Sequence, residues 1–166
     1  MTSIVSDIDG LDVPVLTRVN VEGDCNAYFR REGEGILEFF RQGSCVNFAY
    51  SSIVFHEYGH FVAWRAFGDD PIMPAYDEGI ADGFALLMTG ESAVGVDHNA
   101  PQMAAPECTG EPLRDLATAT ERYPDDVLGD RHVAGLILGR ALWNLRELLI
   151  GALGEGDGEN VLSRLH

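Results

Sequence analysis

The segment from Ser52 to Phe67 constrains the fold most, because its spacing is helical and mostly apolar and yet it contains the polar run HEYGH at positions 56–60. Residues four positions apart lie on one face of an α-helix, so His56 and His60 can direct their rings toward one point. Two of the five histidines in the chain therefore share a helix suited to burial. Either hydrogen bonds in the core satisfy these rings, or the rings bind a metal ion.

The chemistry of the run HEYGH favours a metal. Neutral imidazole nitrogens are good zinc ligands. Glu57 is rotated by about 100° from His56 around the helix axis, so its carboxylate would lie beside a metal instead of on it. In that position Glu57 can accept a proton from water, which is what the pattern His-Glu-x-x-His supplies to metal-dependent hydrolases.

A second helical segment, AYDEGIADGFALL, offers the ligand that two histidines lack. A catalytic zinc needs three protein ligands and an open position. Glu78 follows His60 by eighteen residues, and Asp82 lies one helical turn further on the same face. Two helices joined by the loop GDDPIMP can pack antiparallel, which would bring Glu78 to the metal. Asp82 can then accept the second ring N–H of a ligand histidine. An acidic pair at this spacing is more commonly a solvated helix face, but here the surrounding residues are apolar.

The rest of the chain predicts strands first and helices afterwards. The predicted strands cover residues 11–22, 26–30 and 36–40, and the predicted helices cover residues 52–67, 75–88, 113–122 and 130–149, with a long loop at 91–112. Ser51 or Ser52 is the candidate N-cap of the first helix, and Gly68 and Gly90 are the stops of the first two. This order predicts one α+β domain that spans residues 1–166.

Charge and hydropathy exclude two classes of partner. The net charge is −16, from 27 acidic residues against 11 basic ones, all of them arginine. No basic stripe exists to meet phosphates, so we expect no nucleic-acid partner. No apolar run approaches the roughly 20 residues that cross a bilayer, so we expect no membrane insertion. The first residues do not resemble a signal peptide, and we therefore expect an excised piece whose export signal lies outside this sequence.

The three cysteines, Cys25, Cys45 and Cys108, do not make a disulfide scaffold or a cysteine-ligated zinc site. Cys25 and Cys45 flank the predicted hairpin, and a bridge between them would imply an oxidising compartment. The alternative is two buried thiols.

The run HEYGH followed by DEGIADGFA resembles the gluzincin metallopeptidases, whose third zinc ligand is a glutamate in a short second motif. Two other stretches resemble the fungalysin and thermolysin-like branch. CNAYF at residues 25–29 is similar to an edge-strand motif that holds the substrate backbone, and GDRHVAGLILGRALWNLRE at residues 129–147 is similar to a segment with a second catalytic histidine. The resemblance covers residues 20–150, most of the chain.

The resemblance implies a zincin-like fold and an endopeptidase that takes peptide or protein substrates, with one catalytic zinc ion. It implies that Glu57 is the general base, that Asp82 orients His56, and that His132 supports the developing oxyanion. The implied zinc ligands are His56, His60 and Glu78, and the implied peptide-binding residues are Asn26 and Ala27. The expected location is extracellular or in the cell envelope.

Some positions depart from the family pattern. The run Gly135-Leu136-Ile137-Leu138 replaces a Gly-Glu-Ile-Trp-like stretch, and Tyr76 is the one tyrosine between His60 and Glu78 that could assist the oxyanion.

An inactive zinc-binding module and an aminopeptidase-type hydrolase are the alternatives. Glu57 argues against the first, and the missing Gly-x-Met-Glu-Asn stretch argues against the second. Calcium is a weaker cofactor candidate, because SDIDG and GEGDGEN do not fit the twelve-residue calcium loop.

Overall fold

The computed structural model describes residues 10–43, 45–68, 73–96 and 111–164. Its elements follow the chain in this order: β1 (Leu16–Val21), β2 (Ala27–Arg30), β3 (Ile36–Phe40), α1 (Ser51–Phe67), α2 (Pro74–Thr89), β4 (Ala93–Val94), β5 (Arg114–Asp115), α3 (Arg131–Leu153) and α4 (Glu155–Leu162). The described part is a small α+β fold. Cys108 lies outside the described residues. No helix among the described residues is long and apolar enough to cross a membrane.

The first three strands form one sheet with β3 in the middle, parallel to β1 and antiparallel to β2. The central strand reads ILEFF and is almost entirely buried, as its apolar composition requires. Its one charged residue, Glu38, forms ion pairs with Arg18 of β1 and Arg30 of β2. A buried charge needs such partners to offset its lost hydration. Strand β2 lies at an edge of this sheet.

A disulfide joins Cys25, just before β2, to Cys45, after β3, and the Cα atoms are 5.1 Å apart. Cys45 packs in a core cluster with Phe39, Phe48 and Ile53. The predicted bridge is therefore present, and it ties the start of β2 to the segment that leads into α1.

Helix α2 packs between α1 and α3, and glycines allow the close approach. A Cβ atom at Gly59 of α1 would lie 2.7 Å from the Cα of Ala81, nearer than real contacts allow. A Cβ atom at Gly135 of α3 would lie 2.9 Å from the Cβ of Glu78. Gly135 thus has a packing role, since it lets α3 approach the backbone that carries Glu78.

The predicted helix over residues 113–122 is wrong. Arg114 and Asp115 form β5, which pairs with β4, and a turn follows in which the Asp115 carboxylate accepts the N–H of Ala117. Aspartate side chains favour such turns over helix because they bind nearby backbone groups. The strand β4 also lies inside the predicted loop 91–112, so that loop is shorter than expected.

Smaller differences concern the ends of elements. The first strand covers only Leu16–Val21 of the predicted 11–22. Tyr50 is the N-cap of α1, while the Ser52 hydroxyl instead accepts the backbone N–H of Gly95. Pro74 begins α2. The first N–H groups of a helix have no partner within the helix, so the N–H that proline lacks costs no hydrogen bond there. The calcium candidate GEGDGEN lies in the segment of α4, and most of SDIDG lies outside the described residues.

Candidate metal centre

Helix α1 directs three polar side chains of HEYGH into the interior. His56 and Glu57 are buried, and His60 is half-buried. The ring centroids of His56 and His60 are 4.7 Å apart, as expected for residues one turn apart on one face. The Glu57 side chain forms no hydrogen bond or ion pair with a described residue, and it lines the cleft together with the two rings. Its carboxylate is therefore available for chemistry.

Helix α2 brings Glu78 to the two histidines. The Oε2 atom of Glu78 lies 3.4 Å from Nε2 of His56 and 3.7 Å from Nε2 of His60. One ligand atom from each of the three residues lies within 4.8 Å of the others, close enough to share one metal ion. The structure thus brings together the three residues that the sequence predicts as zinc ligands.

The burial and the negative charge of the Glu78 carboxylate favour the binding of a cation. Its side chain is only 4% exposed, and Oε2 is buried without a hydrogen-bond partner among the described residues. Burial raises the pKa of Glu78, but the surrounding histidines outweigh this effect and hold the pKa below its usual value. An ionised, buried oxygen without a partner is costly unless a positive charge joins it. Two imidazole nitrogens and one carboxylate oxygen are a donor set that suits zinc.

Asp82 contacts the other side of His56, with Oδ1 2.8 Å from Nδ1. Arg114 of β5 donates to the same carboxylate through Nε at 2.8 Å and Nη2 at 2.7 Å. Burial lowers the pKa of His56, but Asp82 and Glu78 raise it to about 9. Burial raises the pKa of Asp82, yet His56 and Arg114 lower it far below its usual range. Asp82 is therefore ionised and contacts the His56 ring nitrogen opposite Glu78, which is the position expected of a residue that orients this ring.

Arg114 is a residue that the sequence reasoning missed. It lies in the segment wrongly predicted as helix, and nothing in its local pattern singles it out. The sequence contains an indirect signal for Arg114, because a buried aspartate such as Asp82 requires a cation near it. That requirement predicts an arginine without saying which one.

Asp77 was also missed. It immediately precedes Glu78, and its Oδ1 lies 3.1 Å from Nδ1 of His60, in an orientation that does not form a hydrogen bond. Each candidate ligand histidine thus has a carboxylate near its Nδ1 atom, which is the common arrangement around metal-binding histidines.

The start of α3 supplies two more groups. The Asp130 carboxylate caps the helix by accepting the N–H groups of His132 and Val133, and Nδ1 of the His132 ring lies 3.1 Å from Asp130 Oδ1. The Nε2 atom of His132 lies 3.4 Å from Oε1 of Glu78. Arg131 contacts the same oxygen through Nε at 3.1 Å. The structure therefore brings His132 to the candidate centre and adds Arg131, which the sequence reasoning did not select.

A cleft of about 280 Å³ opens over the candidate ligands. Asn26 and Ala27 line one wall, at the start of the edge strand β2. Apolar side chains that line the cleft include Phe29, Phe48, Ile53 and Leu113. Tyr76 is 55% exposed and does not line this cleft, so the structure gives no support to an oxyanion role for it.

The chain matches no protein-family model, no curated protein and no solved structure. The geometry of the cleft offers a place for one cation, an unengaged carboxylate beside it, and a sheet edge along it.

Proposed function

We propose that this protein is a zinc-dependent endopeptidase with a zincin-like fold, which hydrolyses peptide bonds in the cleft between β2 and the helices. His56, His60 and Glu78 are the zinc ligands. The observation that carries the proposal is the position of Glu78 Oε2, which is buried without a hydrogen bond to any described residue and lies 3.4 and 3.7 Å from the Nε2 atoms of the two histidines. Glu57, beside these ligands, turns a binding site into a hydrolytic one.

The zinc ion, when bound, polarises the scissile carbonyl and makes water more acidic. Glu57 takes a proton from the attacking water as the new carbon–oxygen bond forms, and delivers it to the amine nitrogen as the carbon–nitrogen bond breaks. His132 donates to the carbonyl oxygen while that atom carries negative charge. Asp130 holds the His132 ring through the 3.1 Å contact at Nδ1. The products are a carboxylate and an amine.

The edge strand β2 offers the substrate a backbone to pair with. The Asn26 carbonyl accepts the N–H of Phe40 in β3, at 3.1 Å. Since antiparallel pairing alternates along a strand, Ala27 and Phe29 direct their carbonyl groups away from β3. Both residues line the cleft. An extended peptide can therefore add to this edge as a further strand and lie across the candidate zinc site.

The expected location of the protein is extracellular or in the cell envelope. The disulfide between Cys25 and Cys45 supports this part of the proposal, because such bridges persist in oxidising compartments.

Metal analysis and a peptide-cleavage assay on three variants test the function. Glu57→Gln keeps one zinc per chain and loses cleavage of a quenched fluorescent peptide, because the ligands remain and the base is gone. Glu78→Ala loses most of its zinc. Glu91→Gln, an exposed acid outside the cleft, behaves like the wild type. A chelator stops the wild-type reaction, and added zinc restores it.

Two results would contradict the proposal in different ways. Stoichiometric zinc with no cleavage of casein or peptides would identify a zinc-binding module without activity. Stoichiometric zinc in Glu78→Ala would place the third ligand elsewhere.

A further inference from the structure

Arg131, the first residue of α3, lies beside His132 at the cleft and has no role in the mechanism described above. The two oxygens of Glu78 face different groups. Oε2 faces the histidine nitrogens of α1, whereas Oε1 lies 3.1 Å from Nε of Arg131 and 3.4 Å from Nε2 of His132. Two N–H donors from consecutive residues therefore converge on one oxygen next to the candidate metal position.

These two donors differ in how many N–H groups remain available. The Nδ1 atom of His132 contacts Asp130, so Nε2, which lies 3.4 Å from Glu78 Oε1 without a hydrogen bond to it, is the one ring nitrogen left to donate. Arg131 contacts Glu78 through Nε at 3.1 Å, and a guanidinium carries five N–H groups in a fixed fork. The Arg131 side chain forms no ion pair or hydrogen bond with any other described residue, and it is 62% exposed along the cleft. Arg131 can thus donate to a substrate without leaving Glu78.

We propose that Arg131 is a second catalytic donor, which binds the carbonyl oxygen of the substrate, together with His132, as that oxygen becomes negative. This inference rests on the proposed peptidase function. Arg131 neither gains nor loses a proton, and the bonds made and broken remain those of hydrolysis. A guanidinium stays charged at every working pH, so this donor remains available over that whole range.

Two other roles are available to an arginine at this position. It could do no more than neutralise Glu78, or it could select substrates with an acidic side chain. If Arg131 only neutralised Glu78, its loss would change the metal affinity. If it selected acidic side chains, its loss would change the cleavage of acidic substrates alone. A catalytic donor acts on kcat for every substrate and on the binding of anions that resemble the transition state.

Arg131→Gln, Arg131→Lys and the control Arg122→Gln separate these roles. Arg122 is exposed and lies outside the cleft. The measurements are kcat and KM on a neutral peptide and on one with glutamate beside the cleaved bond, zinc affinity by chelator competition, and the affinity of the zinc-loaded protein for a phosphonate peptide by calorimetry.

We expect Arg131→Gln to lower kcat about a hundredfold on both peptides, with KM nearly unchanged. The phosphonate peptide should bind at least about tenfold more weakly, while zinc affinity stays close to that of the wild type. Arg131→Lys should recover part of both losses because it keeps the charge, and Arg122→Gln should match the wild type.

Three results would overturn the inference. These are a loss confined to the acidic peptide, a loss of zinc affinity that accounts for the loss of activity, and unchanged kcat and phosphonate affinity. If the wild type cleaves no peptide, the proposed function fails separately. Equal binding of the phosphonate by the wild type and Arg131→Gln would then also remove Arg131 as an anion donor.

Discussion

Asp82 Oδ1 lies 2.8 Å from Nδ1 of His56, and the aspartate side chain is completely buried. The same carboxylate receives two hydrogen bonds from Arg114. Asp82 is thus held by a fixed cation on one side while it contacts the ring on the other. The Nε2 atom of His56 is left directed toward Glu78, where a metal would bind.

We expect Asp82→Asn to weaken zinc binding by about 10- to 100-fold, the usual effect of losing the carboxylate behind a ligand histidine. Competition with a chromophoric chelator measures the change, and circular dichroism confirms the fold. Asp125→Asn, an exposed residue outside the site, serves as the control and should bind zinc as the wild type does. Equal affinities in the two variants would show that Asp82 does not act on the metal.

Metal binding should depend on pH through His56, whose pKa in the metal-free protein is raised to about 9. Because a cation binds only the neutral ring, zinc binding at pH 7 should release a proton, and the apparent affinity should fall about tenfold per pH unit below this value. Without metal, the stability of the fold responds to pH in the opposite direction. The raised pKa stabilises the fold below the unfolded value near 6.5, and this stabilisation is lost as pH rises through 9.

Calorimetry in buffers with different ionisation enthalpies counts the protons released. Urea unfolding of the metal-free protein measures its stability, which should be higher at pH 6 than at pH 9. A zinc affinity that is constant from pH 6 to pH 8 would contradict this account of His56.

Gly135→Ala should lower the free energy of unfolding by about 1–3 kcal/mol, since the new methyl group would meet the Cβ of Glu78 at 2.9 Å. The variant should also bind zinc more weakly, because relief of the clash displaces Glu78. Gly151→Ala is the matched control in the same helix, with nothing within 4 Å of the added atom. It should stabilise the protein by up to about 1 kcal/mol. Urea denaturation measures the free energy of unfolding of both variants. Equal changes in Gly135→Ala and Gly151→Ala would refute the packing role of Gly135.

Removal of the disulfide by Cys25→Ser with Cys45→Ser should lower the free energy of unfolding by about 3 kcal/mol, since the bridge closes a loop with a sequence separation of 20. Chemical denaturation with and without reductant provides the comparison. Reductant should destabilise the wild type and leave the double variant unchanged. Mass mapping under non-reducing conditions that finds two unlinked thiols would contradict the bridge.

Local spacing predicts the two helices that carry the candidate ligands nearly to the residue. The predictions over 52–67 and 75–88 correspond to Ser51–Phe67 and Pro74–Thr89. Helical periodicity and glycine stops are local signals, so no tertiary information is needed to read them. The segment 113–122 fails for the converse reason. Its two-residue strand exists through pairing with β4, and its arginine is held by Asp82.

The same distinction applies to the candidate site. The order of residues in HEYGH is sufficient to place His56, Glu57 and His60 together, because helix geometry alone relates positions one turn apart. The partners Arg114 and Arg131 could not be chosen from eleven arginines in this way. Their contacts with Asp82 and Glu78 cross from one element to another, and they depend on how closely α2 packs between α1 and α3. That distance results from side-chain volumes on all three helices, which the periodicity of a single segment does not contain.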